Sequence, residues 1–216
     1  MKSIFSYDSI LFQAINKLLD SIALCLLWAL FSIPIFTMGA ATTALFYTAD
    51  KVIFREEGKL MASFWHAFKQ NLKQATVIGL LLGVLLTFLY FEIFYSYTLY
   101  SGGYLHISMF LIISIVTALL LMWACYLFPY AARYSDKTKQ IFKNCAIMAL
   151  SNLQWSVLLL TVVCASIFLF SAIPGGFLLA PVGGFMTVSR ITNRVFRRYE
   201  QAEEAAQQNG LQEGME

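Results

Sequence analysis

Residues 75–98 read ATVIGLLLGVLLTFLYFEIFYSYT, and Glu92 is the only charged side chain among them. A membrane-spanning helix needs about 20 consecutive, mostly apolar residues. A second apolar run at 105–130 follows the uncharged loop Ser101–Tyr104 and contains no Asp, Glu, Lys or Arg. The two runs predict a pair of membrane-spanning helices in the middle of the chain.

The composition of the whole chain supports the same class. The 216 residues are 59% apolar and only 12% charged, with a mean hydropathy of +0.69. Soluble proteins carry about a quarter charged residues. We therefore expect one integral membrane domain over 1–200 and a polar, disordered tail at 201–216. The formal net charge of +3 and the absence of a nucleic-acid motif indicate contact with a lipid bilayer and no contact with nucleic acid.

The basic residues indicate the topology. All fifteen lysines and arginines fall in four clusters, separated by the basic-free stretches 18–50, 74–132 and 144–189. Cytoplasmic loops of membrane proteins are enriched in Lys and Arg. If each stretch crosses the membrane and returns, all four clusters lie on one side. This predicts a multi-pass membrane protein with both termini in the cytoplasm.

The expected fold is an all-α, polytopic membrane helical bundle of six segments in three hairpins. The segments are expected at about 21–36, 39–54, 75–98, 105–130, 155–173 and 177–193. The stretch 39–54 is short and ends near Asp50 and Lys51, so a re-entrant segment is the alternative to a full return pass. Without a return, the basic cluster of 51–73 would be exported, against the charge rule.

Proline and glycine residues mark the expected helix breaks, because proline cannot continue a helix and glycine weakens one. The candidate break or hinge residues are Pro34, Gly39, Pro174, Gly175 and Gly176.

Two amphipathic stretches, 61–74 and 138–153, are predicted to be helices lying in the cytoplasmic interface. Each has aromatic or aliphatic residues on one face and lysines on the other, a pattern typical of helices at the headgroup boundary. The same faces could dock a cytoplasmic partner. The candidate lipid or partner contacts are Phe64, Trp65, Phe68, Lys69, Lys73, Lys139 and Lys143.

Few residues offer chemistry. Glu92 is the one ionisable side chain well inside an expected span, where such groups are costly and often functional. It is either a proton- or substrate-coupling residue or a structural acid near the interface. The hydroxyl residues Thr37, Thr42 and Thr43 lie at a helix break, where they could bind a polar ligand such as a sugar or simply permit close packing.

The chain contains no P-loop, no GxSxG elbow, no HExxH and no carboxylate dyad, so we expect a protein that is not an enzyme. The four cysteines show no CxxC pairing, which favours buried free thiols. We therefore expect no metal site, no catalytic residue and no cofactor.

Two motifs resemble the YesL-like family of bacterial membrane proteins, domain of unknown function 624. The first is PIFTMGAATTAL at 34–45, and the second is SFWHAFKQNLKQA at 63–75. Ala40 departs from the family pattern, which often has proline after the glycine. Members are generally encoded beside carbohydrate ABC-transporter components. The resemblance therefore implies a protein of the bacterial cytoplasmic membrane with an accessory or regulatory role in carbohydrate transport, and with sugar ABC-transporter subunits as partners. One alternative is a small transporter or channel that acts as a homo-oligomer. The other is a membrane scaffold.

Overall fold

The computed structural model describes residues 4–98, 104–172 and 176–213, and side chains within 15–94, at 108, and within 110–169 and 183–201. The described residues form helices and short connections, with no strand, which confirms the all-α class for this part of the chain. In chain order the elements are α1 (Ile4–Phe31), a 3-10 turn (Ile35–Thr37), α2 (Met38–Thr48), a π-helical segment (Ala49–Phe54), α3 (Leu60–Thr98), α4 (Tyr104–Arg133), α5 (Thr138–Ser151), α6 (Leu153–Ala172) and α7 (Gly176–Glu213).

Helices α3 and α4 have the length and apolar character of membrane spans. Their stretches Leu60–Phe94 and Phe110–Arg133 reach mean hydropathies of 2.3 and 2.4. Large apolar side chains on both helices face outward; Val84 is 71% exposed and Ile112 is 62% exposed. Such a surface is costly in water and is covered by lipid in a membrane. Within the described residues, α5 and α6 add a third span only if they are counted as one bent segment. These helices are those of a membrane protein, and the arrangement of six membrane segments remains a prediction.

Helix α1 is shorter at its C-terminal end than the expected segment 21–36. It ends at Phe31, and Pro34 adopts an extended conformation with φ −76° and ψ 118°. The proline ring disfavours helical geometry in the residue before it, which accounts for the early end.

Helix α3 differs from expectation in its first turns. The stretch 61–74 is not a separate interfacial helix, because α3 runs without a break from Leu60 to Thr98. The change from basic to apolar composition near Gln74 contains neither proline nor glycine, so nothing ends the helix there. The 39 residues correspond to about 58 Å, against about 30 Å for the hydrocarbon core. The helix is therefore longer than the hydrocarbon core is thick, and both of its lysines lie in residues 60–74.

Helix α5 is a separate element, bent by 102° from α6. Its buried residues include Ile141, Cys145 and Met148, and they belong to a core cluster shared with α4 and α7. Lys139 and Lys143 are exposed. The bend agrees with a helix lying along the membrane surface before a span, although that placement stays a prediction.

The tail also differs from expectation. Helix α7 continues to Glu213, so most of 201–216 is helical rather than disordered. The stretch is rich in Ala, Glu and Gln, which have high helix propensity. Low apolar content led to the prediction of disorder, but propensity favours the extension of a helix that has already formed.

Helix α2 lies at the centre of the bundle and packs mainly on α3. Its buried residues are mostly small and include Gly39, Ala40 and Thr43. A Cβ atom added at Gly39 would collide with the carbonyl oxygen of Ala75, and one added at Gly79 would lie 3.2 Å from the Gly39 Cα. Small residues at this crossing therefore allow the two backbones to approach closely.

Candidate functional site: a polar cavity beside the π-helical segment

A polar cavity of about 340 Å³ lies between the π-helical segment, the end of α4 and the middle of α7. We call it the polar cavity. Its polar lining includes Asp50, Lys51, Arg55, Arg133, Ser189 and Asn193. These residues come from distant parts of the chain, and their side chains meet where α4 ends its apolar run.

Asp50 is the centre of the hydrogen bonding in the cavity. One carboxylate oxygen accepts a hydrogen bond of 2.7 Å from Asn193 Nδ2. The other carboxylate oxygen lies 2.9 Å from Nη2 of Arg55. Both oxygens are therefore matched by donors, which offsets the cost of placing a carboxylate in a half-buried position.

Asn193 links this pair to a second one. Its amide oxygen accepts a hydrogen bond of 3.1 Å from Nη1 of Arg133. The other donors of Arg133, Nε and Nη2, reach the two carboxylate oxygens of Glu200 at 3.1 and 3.0 Å. The two-point geometry is the strong form of an arginine–carboxylate pair. A continuous chain of contacts thus joins the π-helical segment, α7 and α4.

The π-helical winding explains why Arg55 reaches Asp50. In a π-turn a backbone N–H bonds to the carbonyl five residues earlier, and the Arg55 N–H donates to the Asp50 carbonyl at 3.1 Å. Two residues after the segment Glu56 has a φ of +59°, and the N–H of Glu57 donates to the Lys51 carbonyl at 2.9 Å. π-Turns are rare and frequently occur at functional sites.

A second polar group lies next to the cavity. The Tyr130 hydroxyl donates to the Asp136 carboxylate at 2.7 Å and accepts from the Asn144 amide at 2.8 Å. Gln74 donates to the Asp136 carbonyl at 2.6 Å. These contacts connect α3, α4 and α5. They place Gln74, the last polar residue before the apolar run of α3, beside the end of α4.

Tyr134 completes the contacts of Glu200. Its hydroxyl donates to the Glu200 carboxylate at 2.7 Å. Burial is the main cause that raises the pKa of Tyr134 well above its usual value, and the hydrogen bond and negative charge of Glu200 raise it further. The phenol therefore stays neutral and acts as a donor at physiological pH.

The threonines at the helix break are satisfied within the protein. The Thr37 hydroxyl donates to the carbonyls of Phe31 and Pro34 at 2.7 and 2.8 Å, and Thr43 donates to the Gly39 carbonyl at 3.0 Å. Thr42 donates to the Met38 carbonyl and accepts from the Trp28 ring nitrogen at 3.1 Å. Their placement favours close packing over the binding of a polar ligand.

Glu92 lies apart from these groups. It is partly exposed near the end of α3, about 20 Å along the helix from Gly79. In the part of the chain that the structure describes, neither the polar cavity nor any ion pair includes it. A coupling role for Glu92 stays a prediction.

The candidate hinge residues divide into two groups. Pro34 lies at the break after α1, and Gly39 lies at the close crossing of α2 and α3. Pro174 and Gly175 lie outside the described residues, and Gly176 begins α7.

The expected contact surface of α3 needs a correction. Phe64 and Phe68 are 1% and 8% exposed, and their rings lie 5.6 and 5.1 Å from the ring of Phe31. They are core residues and cannot contact lipid or a partner. The part of the apolar face that these two rings form is covered by α1, whereas Met61 and Leu72 remain exposed. Trp65 stays 45% exposed, with Lys69 Nζ 4.8 Å from its ring.

The remaining lysines of the expected contact surface are accessible. Lys73 on α3 and Lys139 and Lys143 on α5 are exposed. Together with Trp65 and Lys69 they form what we call the lysine surface, which is the part of the predicted contact set that is open to another molecule.

Sequence reasoning missed the polar cavity. Asp50 is an acid at the end of the basic-free stretch 18–50, but Arg133, Asn193 and Glu200 are separated from it by the whole central hairpin. The available signal was a set of polar residues at the ends of apolar runs, which share one depth if the runs pack side by side.

Comparison with known proteins gives a family match. Residues 22–93 match the model of a family described as "Protein of unknown function, DUF624". The chain is also 26% identical over 154 residues to the uncharacterized protein YteU of Bacillus subtilis (strain 168), which covers 69% of this chain and 68% of that protein. No solved structure matches the chain. Both sequence motifs lie inside the matched region, and the match over residues 22–93 confirms the resemblance to the DUF624 family that they predicted.

Proposed function

We propose that this protein is a non-enzymatic integral membrane protein that serves as an accessory or regulatory component of a carbohydrate ABC-type transport system. The carbohydrate part of the proposal follows from what the family resemblance implies. The structural observation that supports a partner-binding role is the extension of α3. Residues 60–74 continue the spanning helix beyond the apolar layer and carry Trp65, Lys69 and Lys73 on an exposed face.

The lysine surface has the composition of a contact site for an acidic partner. Exposed aromatic residues and cations are common in interfaces, where the aromatic ring provides buried area and charge complementarity speeds association. The α3 part of the surface lies on a rigid helix that is anchored in the core through Phe64 and Phe68. A partner bound there would be held at a fixed position relative to α1, α2 and α3, which share one core.

Co-purification from native membranes in a mild detergent tests this function. We expect ABC-transporter subunits to be recovered with the wild-type chain and to be lost with the double variant Lys69→Glu, Lys73→Glu. The matched control is Arg197→Glu, which reverses an exposed charge on α7 outside the lysine surface. Recovery of no transporter subunit with the wild-type chain would contradict the proposal, as would equal losses from the test and control variants.

The polar cavity favours a second candidate function, a small transporter in its own right. A transport site needs polar groups that converge on a space large enough for a solute, and the cavity offers about 340 Å³ lined by charged and hydroxyl-bearing residues. Solute flux into proteoliposomes distinguishes the two candidates. A transporter should lose flux in Asp50→Asn, and a further loss in Glu92→Gln would bring Glu92 into the path.

A further inference from the structure

We propose that the polar cavity binds a zwitterionic phosphate ester of the phosphoethanolamine class, with Lys51 and Arg55 at the phosphate and Glu57 at the amine. The site is the cavity that the second candidate function would use for a solute, but the binding proposed here does not require transport. Four observations lead to it: the depth of the cavity, the pairing inside it, the charges left unpaired and its volume.

The cavity lies at the end of the apolar run of α4. Arg133, the last residue of the α4 span, contributes to its wall. The neighbouring hydrogen bond from Gln74 to the Asp136 carbonyl joins the polar start of the apolar run in α3 to the same region. Lipid headgroups lie immediately outside the hydrocarbon core. A phosphate group is therefore present at this depth in any phospholipid bilayer.

Two of the charged lining residues, Asp50 and Arg133, already form hydrogen bonds and ion pairs within the protein. Asp50 accepts from Asn193 and pairs with Arg55, and Arg133 uses three of its five N–H donors on Asn193 and Glu200. These contacts hold the walls of the cavity together, and both carboxylate oxygens of Asp50 already have donors. Arg55 uses Nη2 for Asp50, which leaves further guanidinium N–H donors free.

Lys51 and Glu57 both line the cavity, yet they form no ion pair with each other or with another charged group in the part of the chain that the structure describes. The Lys51 ammonium lies over the Tyr47 ring at 5.7 Å from its centroid. A neutral ligand covering these groups would remove water from two unpaired charges, which is costly. A ligand with one negative and one positive group would match both.

The surroundings favour the assignment of phosphate to the Lys51 and Arg55 side. Arg190 on α7 stacks on Phe54 of the π-helical segment, at 5.7 Å from the ring centroid, and adds positive potential there. Ser189, buried in the cavity wall, supplies a hydroxyl. The volume of about 340 Å³ lies in the range of small-molecule sites and exceeds what a phosphoethanolamine group requires.

Binding by the full-length protein in detergent tests the proposal. The probes are short-chain phosphatidylethanolamine, phosphatidylglycerol and phosphatidylcholine, together with free O-phosphoethanolamine. We expect phosphatidylethanolamine to bind more tightly than the other two lipids. Lys51→Gln should weaken the binding of phosphatidylethanolamine by about tenfold, the loss expected for one charge-assisted hydrogen bond. Lys51→Arg should retain this binding.

Glu57→Gln separates amine recognition from general attraction to phosphate. This substitution should weaken the binding of phosphatidylethanolamine and leave the binding of phosphatidylglycerol unchanged. The control Lys59→Gln removes a neighbouring exposed charge that does not line the cavity and should have no effect. Binding of free O-phosphoethanolamine would identify a soluble ligand, and binding of the lipid alone would identify a headgroup. Equal affinity for all three lipids, or an equal loss in Lys59→Gln, would overturn the proposal.

Discussion

Gly39 lies where α2 crosses α3 so closely that a methyl group has no room. The atom that a Cβ would meet is the backbone carbonyl oxygen of Ala75, which cannot turn aside as a side chain can. Gly39→Ala should therefore destabilise the protein by about 1–3 kcal/mol, the usual cost of overpacking a core. Thermal unfolding of the purified protein in detergent measures the change.

Gly83 provides the matched control, since it lies one helical turn after Gly79 on the same face of α3. A Cβ atom added there meets nothing within 4 Å. Gly83→Ala should be neutral, or stabilising by up to about 1 kcal/mol, because alanine is the better helix former. Equal effects of the two substitutions would show that the close crossing of α2 and α3 does not contribute to stability.

Tyr134 predicts a dependence of stability on alkaline pH. Burial and the contact with Glu200 raise the pKa of its hydroxyl in the folded protein. A group whose pKa is raised by folding contributes its full stabilisation below the pKa of the unfolded chain, about 10 for tyrosine. That contribution falls as the pH rises from there towards the folded pKa. Stability measured from pH 8 to 11 should decline less steeply in Tyr134→Phe than in the wild type.

At the scale of elements, the Arg133–Glu200 pair connects the end of α4 to α7. Its side chains are 19% and 36% exposed, and the contact has two hydrogen bonds. A double-mutant cycle with Arg133→Gln and Glu200→Gln should give a coupling of about 1 kcal/mol or more, because the pair is partly shielded from water and its geometry is favourable. Unfolding in detergent at low and high salt measures it.

The Lys17–Glu56 pair is the comparison. Its N–O distance is 2.7 Å, but its side chains are 43% and 65% exposed. Water and salt screen such a contact, and exposed pairs often contribute nothing measurable. The cycle Lys17→Gln with Glu56→Gln should therefore show no coupling at high salt. A coupling as large as that of Arg133–Glu200 would mean that burial is not what distinguishes the two pairs.

Local chemistry explains which elements could be predicted from the sequence. The length and composition of 75–98 and 105–130 predict α3 and α4, and Pro34 predicts the break after α1. The sequence does not predict the unbroken start of α3, because the composition changes near Gln74 as it would at a helix boundary. The π-helical segment has no sequence signature in 49–54. It depends on tertiary contacts such as the hydrogen bond from Asn193 to Asp50.

The same distinction applies to the candidate site. Single residues with unusual surroundings, such as Asp50, can be recognised in the sequence, whereas their partners cannot. Asn193 becomes a partner of Asp50, and Arg133 a partner of Asn193, only after α4 and α7 pack beside the π-helical segment. Conversely, Phe64 and Phe68 have the pattern of a surface face, and only the docking of α1 buries them.

At the scale of the whole molecule, the depth of the α1–α2 hairpin decides the topology. The Lys17–Glu56 contact brings its two ends together, so the chain leaves on the side where it entered. The break between the helices exposes Ile33 and Ile35, at 75% and 84%, and Ile35 borders a groove with Gly79 and Gly83 on α3. Gly83 lies about 12 Å beyond Ala75 along the helix, near the middle of a hydrocarbon core about 30 Å thick.

An exposed apolar tip at that depth is stable in lipid and costly in water, which favours the re-entrant arrangement over a full crossing. Single cysteines in a cysteine-free background test this with a membrane-impermeant thiol reagent. Ser101→Cys, in the predicted outer loop, should react in intact cells, and Lys139→Cys should react only after permeabilisation. Ile35→Cys should react in neither condition, because the thiol lies in hydrocarbon. Reaction of Ile35→Cys in intact cells, at the rate of Ser101→Cys, would establish a full crossing, with the break between α1 and α2 at the outer surface.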